Sequence, residues 1–237
     1  GFSLATAPAA ITAPYGPLTP GILPVPHGDL AVVEAAIDGK TAAILLETVQ
    51  GSAGVILPPE GYLRGLRALC DKYGIMLIFD EVQAGLGRTG KLFSFENWGV
   101  VPDMVVIGKA LGGGYYPISA CIYNARVLDF VNDHPLAHPS TFSGSEIGCV
   151  VAQKSLELLS DPELLDNVMA MGAKLAAAYQ ALLDRFPRIL RGYRQIGLFT
   201  GIDTASSEIG KQLRHAAVRN GLISFTAPFR PEFLQIW

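Results

Sequence analysis

The chain has 237 residues, half of them apolar, and a formal net charge of −3, enough for one large domain or one and a half ordinary ones around a sizeable core. No block of like charge occurs, so there is no basic stripe to track a phosphate backbone, which argues against nucleic acid as a partner. Cys70, Cys121 and Cys149 are scattered and lack CxxC spacing, which argues against a disulfide framework and against a zinc or other metal site, and fits a reducing, cytoplasmic setting.

Residues 1–28 are rich in Pro, Ala and Gly without periodicity, the pattern of an extended or looping lead-in. There is no initiator Met and no basic start of a signal peptide, so the N-terminus is expected to be a cut end. HGDLAVVEAAI (27–37) then opens a helix with Asp29 as N-cap. TAAILLET (41–48) reads as a short buried strand and PPEGYLRGLRALCDKYG (58–74) as an amphipathic helix closed by Gly74. IMLIFDE (75–81) and DMVVIGK (103–109) are further strands, with YPISACIY (116–123) as a fourth. A long helical pattern runs to residue 186 with a break at Pro162, and RGYRQIGLFTGID (191–203), a helix over 208–220 and an apolar ending follow. No apolar stretch reaches the ~18 residues that a membrane span requires.

Apolar strands alternating with helices predict an α/β fold with a mostly parallel sheet flanked by helices. The expected division is a large domain over 1–160 and a smaller α+β portion over 161–237. Ligands of such sheets sit beyond the carboxyl ends of the strands. That rule places Glu47, Asp80 and Lys109, each at a strand end, on the functional edge.

A carboxylate at the end of a buried strand is costly unless something compensates it. Asp80 therefore reads either as a structural cap or an ion pair with Arg88 or Arg67, or as the partner of a protonated ring nitrogen on a bound cofactor. Lys109 follows VVIG and precedes Ala-Leu-Gly-Gly-Gly, where the backbone turns tightly and a ligand comes close. It reads as a snorkelling lysine or as a carbonyl-trapping amine. GKALGGG is no phosphate loop, because the glycines precede the lysine in that motif and Ser or Thr follows it. HPSTFSGSE (138–146) brings Ser140, Thr141, Ser143 and Ser145 to the start of a helix, as N-caps or as an anion cradle. A carboxylate, an amine and an anion cradle together match the needs of pyridoxal 5′-phosphate.

ILLETVQGSAGVILPPEGYL, LIFDEVQAGLGRTG, PDMVVIGKALGGGYYPISA and STFSG, in this order, resemble the class III, fold type I pyridoxal phosphate aminotransferases, the group of ornithine, acetylornithine, 4-aminobutyrate and putrescine aminotransferases. The likeness runs essentially end to end, and Asp80 and Lys109 stand 29 residues apart as in that family. The resemblance implies that Asp80 pairs with the pyridinium nitrogen, Gln83 hydrogen-bonds the ring 3′-oxygen and Val82 packs on one ring face. It makes Lys109 the Schiff-base lysine and proton shuttle. Thr141, with Ser140 beside it, reaches the cofactor phosphate of a neighbouring subunit, so a homodimer with its site at the interface is implied.

The same resemblance implies a fragment: the family's Gly-Ser/Thr phosphate loop does not precede GFSLATA, and its PPL turn lies beyond LQIW. It also marks two substrate-gate positions. Relatives that use glutamate carry a glutamate where Ser52 stands and an arginine where Gln235 aligns, with Arg230 as the alternative for the arginine. A changed gate implies that 2-oxoglutarate loses its bidentate clamp, and the subgroup resemblance of PPEGYL and HPSTFSG points to a terminal amine, such as a diamine or ω-amino acid, as donor to an oxo acid. An aminomutase or racemase of the same fold, and a truncated paralogue that only dimerises, are the other readings.

Overall fold

The computed structural model describes residues 9–136 and 139–236. The chain divides into two compact units, residues 1–41 and 42–237. The first contains the short helix α1 (Ala9–Thr12), a 3-10 turn (Ala13–Tyr15) and helix α2 (Leu30–Ala35), so the lead-in is partly helical. Asp29 caps α2 as its position predicts, accepting from the amides of Ala31 at 3.0 Å and Val32 at 3.2 Å.

The second unit is built on two sheets. Strands β1 (Ala43–Glu47), β2 (Met76–Asp80), β3 (Met104–Ile107) and β4 (Ala120–Tyr123) lie side by side in chain order. The first three are parallel and β4 is antiparallel to β3. Helix α3 (Tyr62–Tyr73) joins β1 to β2. It buries Leu63, Leu66 and Cys70, spaced on one helical face, and ends at Gly74 in the left-handed conformation. It starts four residues later than the sequence pattern predicts, because Gly61 at φ 74° precedes it and the Pro58-Pro59 pair does not join it. Leu77 and Phe79 of β2 are fully buried.

Helix α4 (Ala125–Asp133), which the sequence reading passed over, follows β4 and is capped by Asn124. Helices α5 (Glu146–Leu159) and α6 (Pro162–Arg185) reproduce the long helical pattern and its break at Pro162. Then come β5 (Leu190–Ile196), β6 (Phe199–Thr204), α7 (Ser207–Arg219), β7 (Phe225–Thr226) and β8 (Phe233–Ile236). These strands form a second, antiparallel sheet in the order β5-β6-β8-β7.

Arg67 settles one open question. Its guanidinium holds Asp71 at 2.7 Å and Asp103 at 2.8 Å, so the alternative in which it pairs with Asp80 is corrected. The reason is geometric: Arg67 lies on α3 beside the opposite end of the sheet, where Asp103 also accepts from the Leu77 amide and from Asn124. Against the cost of burial, those donors hold the Asp103 carboxyl below the usual range.

The β5–β6 hairpin docks on the loop that follows β2. The Leu198 amide donates to the Arg88 carbonyl at 3.1 Å, and a Cβ on Gly197 would lie 2.7 Å from that same oxygen. Gly197, at φ 56°, is the residue type the close approach requires.

Glu81, which follows Asp80 directly in the chain, turns into the core with no exposed surface. It accepts from Thr48 Oγ1 at 2.7 Å, the Ser94 amide at 2.7 Å and the Phe95 amide at 3.2 Å, so it is a structural acid that ties three segments together. Burial pushes its carboxyl up to about 7 and the Asp80 charge adds to the rise, while these three donors oppose it.

Two outcomes follow from this packing. Leu66→Ala removes a fully buried side chain from the α3 face and is expected to cost about 2–5 kcal/mol in urea unfolding. Glu81 binds its proton more tightly when folded, so its contribution to stability is complete below the ordinary value of 4.5 and is lost as the pH rises through about 7. Relative to Glu81→Gln, the wild-type protein is expected to lose on the order of 3 kcal/mol across that window, read from unfolding curves at each pH. A constant difference between the two proteins contradicts this.

Candidate functional site at the strand ends

The parallel register brings the predicted acids together. Glu47, last residue of β1, is the direct partner of Asp80, last residue of β2, and Asp80 in turn faces Val106 of β3. Three residues beyond Val106 the chain reaches Lys109, which adopts φ 45° and opens a 3-10 turn, Lys109–Gly112. Lys109 is exposed at an open recess of ≈ 420 Å³ that it lines with Tyr116, Pro117, Ile118 and Ser119. A wider groove along α7, lined by Ile209, Leu213 and Ala216, holds none of the predicted site groups.

The three charged groups act on one another. Burial pushes the Asp80 carboxyl up, and the Val82 amide and the charge of Lys109 pull it down. Burial pushes Glu47 up as well; the Gly51 amide and Lys109 oppose the rise and Asp80 adds to it. Two half-buried acids thus share one nearby cation. The strand-end rule had placed all three on this edge.

The turn after β2 orients the next side chains. Asp80 Oδ1 accepts from the Val82 amide at 3.0 Å, the self-capping turn that Asp favours. Val82 packs toward the lysine loop: a Cβ on Gly108 would lie 3.6 Å from Val82 Cγ1. Gln83 lies against the β1 side, with its carboxamide directly over the Cα of Gly51. Asp80, Val82, Gln83 and Lys109 therefore converge on one edge.

Ser140 and Thr141 are exposed on a turn ahead of α5. The helix behind them is steadied by a 3.1 Å bond between the Tyr116 hydroxyl and Ser145 Oγ. Tyr115 and Phe142, 92% and 84% exposed, leave large apolar surface on both segments. His138 of the HPSTFSG stretch lies outside the described residues.

Ser52 and Gln235, expected from the resemblance to be gate positions, lie near one another in space. Gln235, buried on β8, donates from Nε2 to the carbonyl of Gly51, and the Ser52 carbonyl accepts from the Phe229 amide at 3.3 Å. Arg230 pairs with Glu232 at 2.6 Å and stacks on Phe233. Arg194 stacks on the same ring and donates to the Gly54 carbonyl at 3.0 Å. The sequence reading missed Gly51, which meets the distant Gln83, Phe199 and Gln235 besides the nearby Glu47, and Arg194, whose acceptor Gly54 lies 140 residues away. Among the described residues no group of His, Cys, Asp and Glu is arranged to hold a metal ion, and no helix is long and apolar enough to cross a membrane.

Known proteins resemble this chain in sequence and in fold. An uncharacterized aminotransferase of Archaeoglobus fulgidus is 42% identical over 227 residues, covering 96% of this chain and 53% of that protein. The ornithine aminotransferase of Bacillus subtilis is 41% identical over 189 residues, covering 80% of this chain and 46% of its own length. The crystal structure of the ornithine aminotransferase from Toxoplasma gondii superposes with a TM-score of 0.90 at 32% identity, covering 98% of this chain and 55% of that one. The chain thus spans about half the length of the relatives it matches. Its fold is the type I fold of pyridoxal phosphate enzymes that the sequence predicts. With the family model for class III aminotransferases matching from residue 14 to residue 231, a range that holds the whole first sheet and Glu47, Asp80 and Lys109, the chain belongs to that family.

Proposed function

We propose that the protein transfers an amino group from an amine to an oxo acid with pyridoxal 5′-phosphate as cofactor. Class III aminotransferases depend on that cofactor. The observation that carries the reading is the convergence of Asp80, Val82, Gln83 and Lys109 on one sheet edge, with the Asp80 carboxylate and the Lys109 ammonium in electrostatic contact.

The donor set fits the group. Asp80 offers a carboxylate, desolvated but still drawn toward its charged form by Lys109 and the Val82 amide, for a protonated ring nitrogen. Val82 offers an apolar ring contact, Gln83 a carboxamide at the ring-oxygen edge, and Lys109 a primary amine beside an open recess. When bound, the cofactor supplies an electron-withdrawing ring that acidifies the carbon next to the substrate nitrogen. Lys109 Nζ would be the amine that holds the cofactor at rest and the base that moves a proton during transfer. Asp80 keeps the ring nitrogen charged. Ser140 and Thr141 would hold the phosphate of a second copy, which the exposure of this turn and of Tyr115 and Phe142 supports, so the active form is a homodimer. Residues 1–160 are then the cofactor-holding domain and 161–237 belong to the smaller one, in a cytoplasmic protein.

The preferred donor carries a terminal amine, as ornithine does. Ser52 and Gln235 set the acceptor: neither is charged, so an α-carboxylate finds no bidentate clamp there. Restoring the pair with Ser52→Glu and Gln235→Arg together is expected to raise kcat/KM for 2-oxoglutarate about tenfold or more, and either change alone to do less, since tenfold corresponds to about 1.4 kcal/mol.

Borohydride reduction of the protein with added pyridoxal phosphate should fix the cofactor to Lys109, mapped by peptide mass, and Lys109→Ala should take no label. A label on another lysine, or none in the wild type, defeats the reading. Amine donor alone should bleach the absorption band of the bound cofactor, and an oxo acid should restore it. A racemase or mutase returns a carbonyl product in neither case.

A further inference from the structure

Glu47 has no role in the reading above, yet its placement is expensive. It lies in register with Asp80, both carboxyls are pushed up by burial, and Lys109 is the cation that offsets them. A neutral residue at the end of β1 would avoid that cost. What Glu47 holds is the next turn: its Oε2 accepts from the Gly51 amide at 3.0 Å.

Gly51 is where the site's supports meet. Its amide is held by Glu47 and its carbonyl by Gln235. Its Cα carries the Gln83 carboxamide so closely that a Cβ would stand 2.3 Å from Gln83 Oε1 and 3.1 Å from Phe199 Cζ. Moving Gly51 moves the surface on which Gln83 rests. A charge-assisted bond holds such an amide more firmly than a neutral one, which accounts for an acid at this costly position.

We infer that Glu47 is a positioning residue of the cofactor site: it clamps the Gly51 amide, and Gly51 in turn sets where the Gln83 carboxamide stands at the ring edge. The inference rests on the cofactor reading proposed above. Gly51 belongs to the same device, since any side chain there displaces Gln83 before it disturbs the strands, the carboxamide being the movable partner.

The test uses the complete protein, titrated with pyridoxal 5′-phosphate and followed by absorbance. Glu47→Ala, which loses the acceptor, should weaken cofactor binding about tenfold, the size of one buried hydrogen bond. Glu47→Gln keeps an uncharged acceptor and should recover most of that loss, to within about threefold of wild type. Gly51→Ala should weaken binding similarly, and the double variant Glu47→Ala/Gly51→Ala should be no worse than the poorer single. In Glu47→Ala and Gly51→Ala the absorption maximum of the bound cofactor should shift in the same direction as in Gln83→Leu. Wild-type affinity and spectrum in Glu47→Ala, no rescue by Glu47→Gln, or losses that multiply in the double variant each overturn this inference while leaving Lys109 labelling intact. A wild-type protein that takes no label at Lys109 overturns the cofactor reading and this inference with it.

Discussion

Two carboxylates, Glu47 and Asp80, stand side by side at the ends of neighbouring strands, offset by the amides of Gly51 and Val82 and by the charge of Lys109. Bringing like charges together in a partly dry place is unfavourable, and the sheet does so because parallel pairing from Ala43 to Glu47 leaves β1 and β2 flush at this end. The energy comes from the other end and from the interior. Phe79, Leu77 and Leu66 are buried there, and Arg67 and Asp103 lock α3 to the start of the strands. The stable end of the sheet carries the strained one.

The loops that extend from the strand ends are held from behind. Glu81 turns inward beside Asp80 and gathers Thr48, Ser94 and Phe95, so the turn that presents Asp80, Val82 and Gln83 is anchored by a residue that faces away from them. The second sheet adds three further ties: Gln235 on Gly51, Arg194 on Gly54 and the hairpin at Gly197 on Arg88. Each uses a backbone carbonyl as acceptor. The contact therefore fixes the path of the chain and leaves the site-facing side chains unengaged.

Much of this was legible in the residues. The Asp29 cap, the Gly74 stop and the Pro162 break are local signals, set by which backbone angles and caps those side chains permit. The strand-end rule found Glu47, Asp80 and Lys109 without any contact information. Other features were not legible. Arg67 is nearer in sequence to Asp80 than to Asp103, 36 residues away, and only the end of the sheet beside which it lies directs it to Asp103. Helix α4 has a periodic face and an Asn cap that a closer pattern search would have found. The antiparallel turn of β4 carries no comparable signal, since apolar strands look alike in either direction.

By itself the sequence determined the chemistry of the edge. An acid after LIF, a lysine after VVIG and apolar strands between them place those groups at strand ends, because strand length and burial leave them no other exit. Tertiary structure decided what each is held by. Gly51 is an unremarked glycine in the sequence, and it becomes the meeting point of Glu47, Gln83, Gln235 and Phe199 because three distant segments converge, just beyond the end of β1, on a residue without a side chain. Local patterns reach only a few residues along the chain, while these contacts span from 4 to 184 residues. Packing alone brings such segments together.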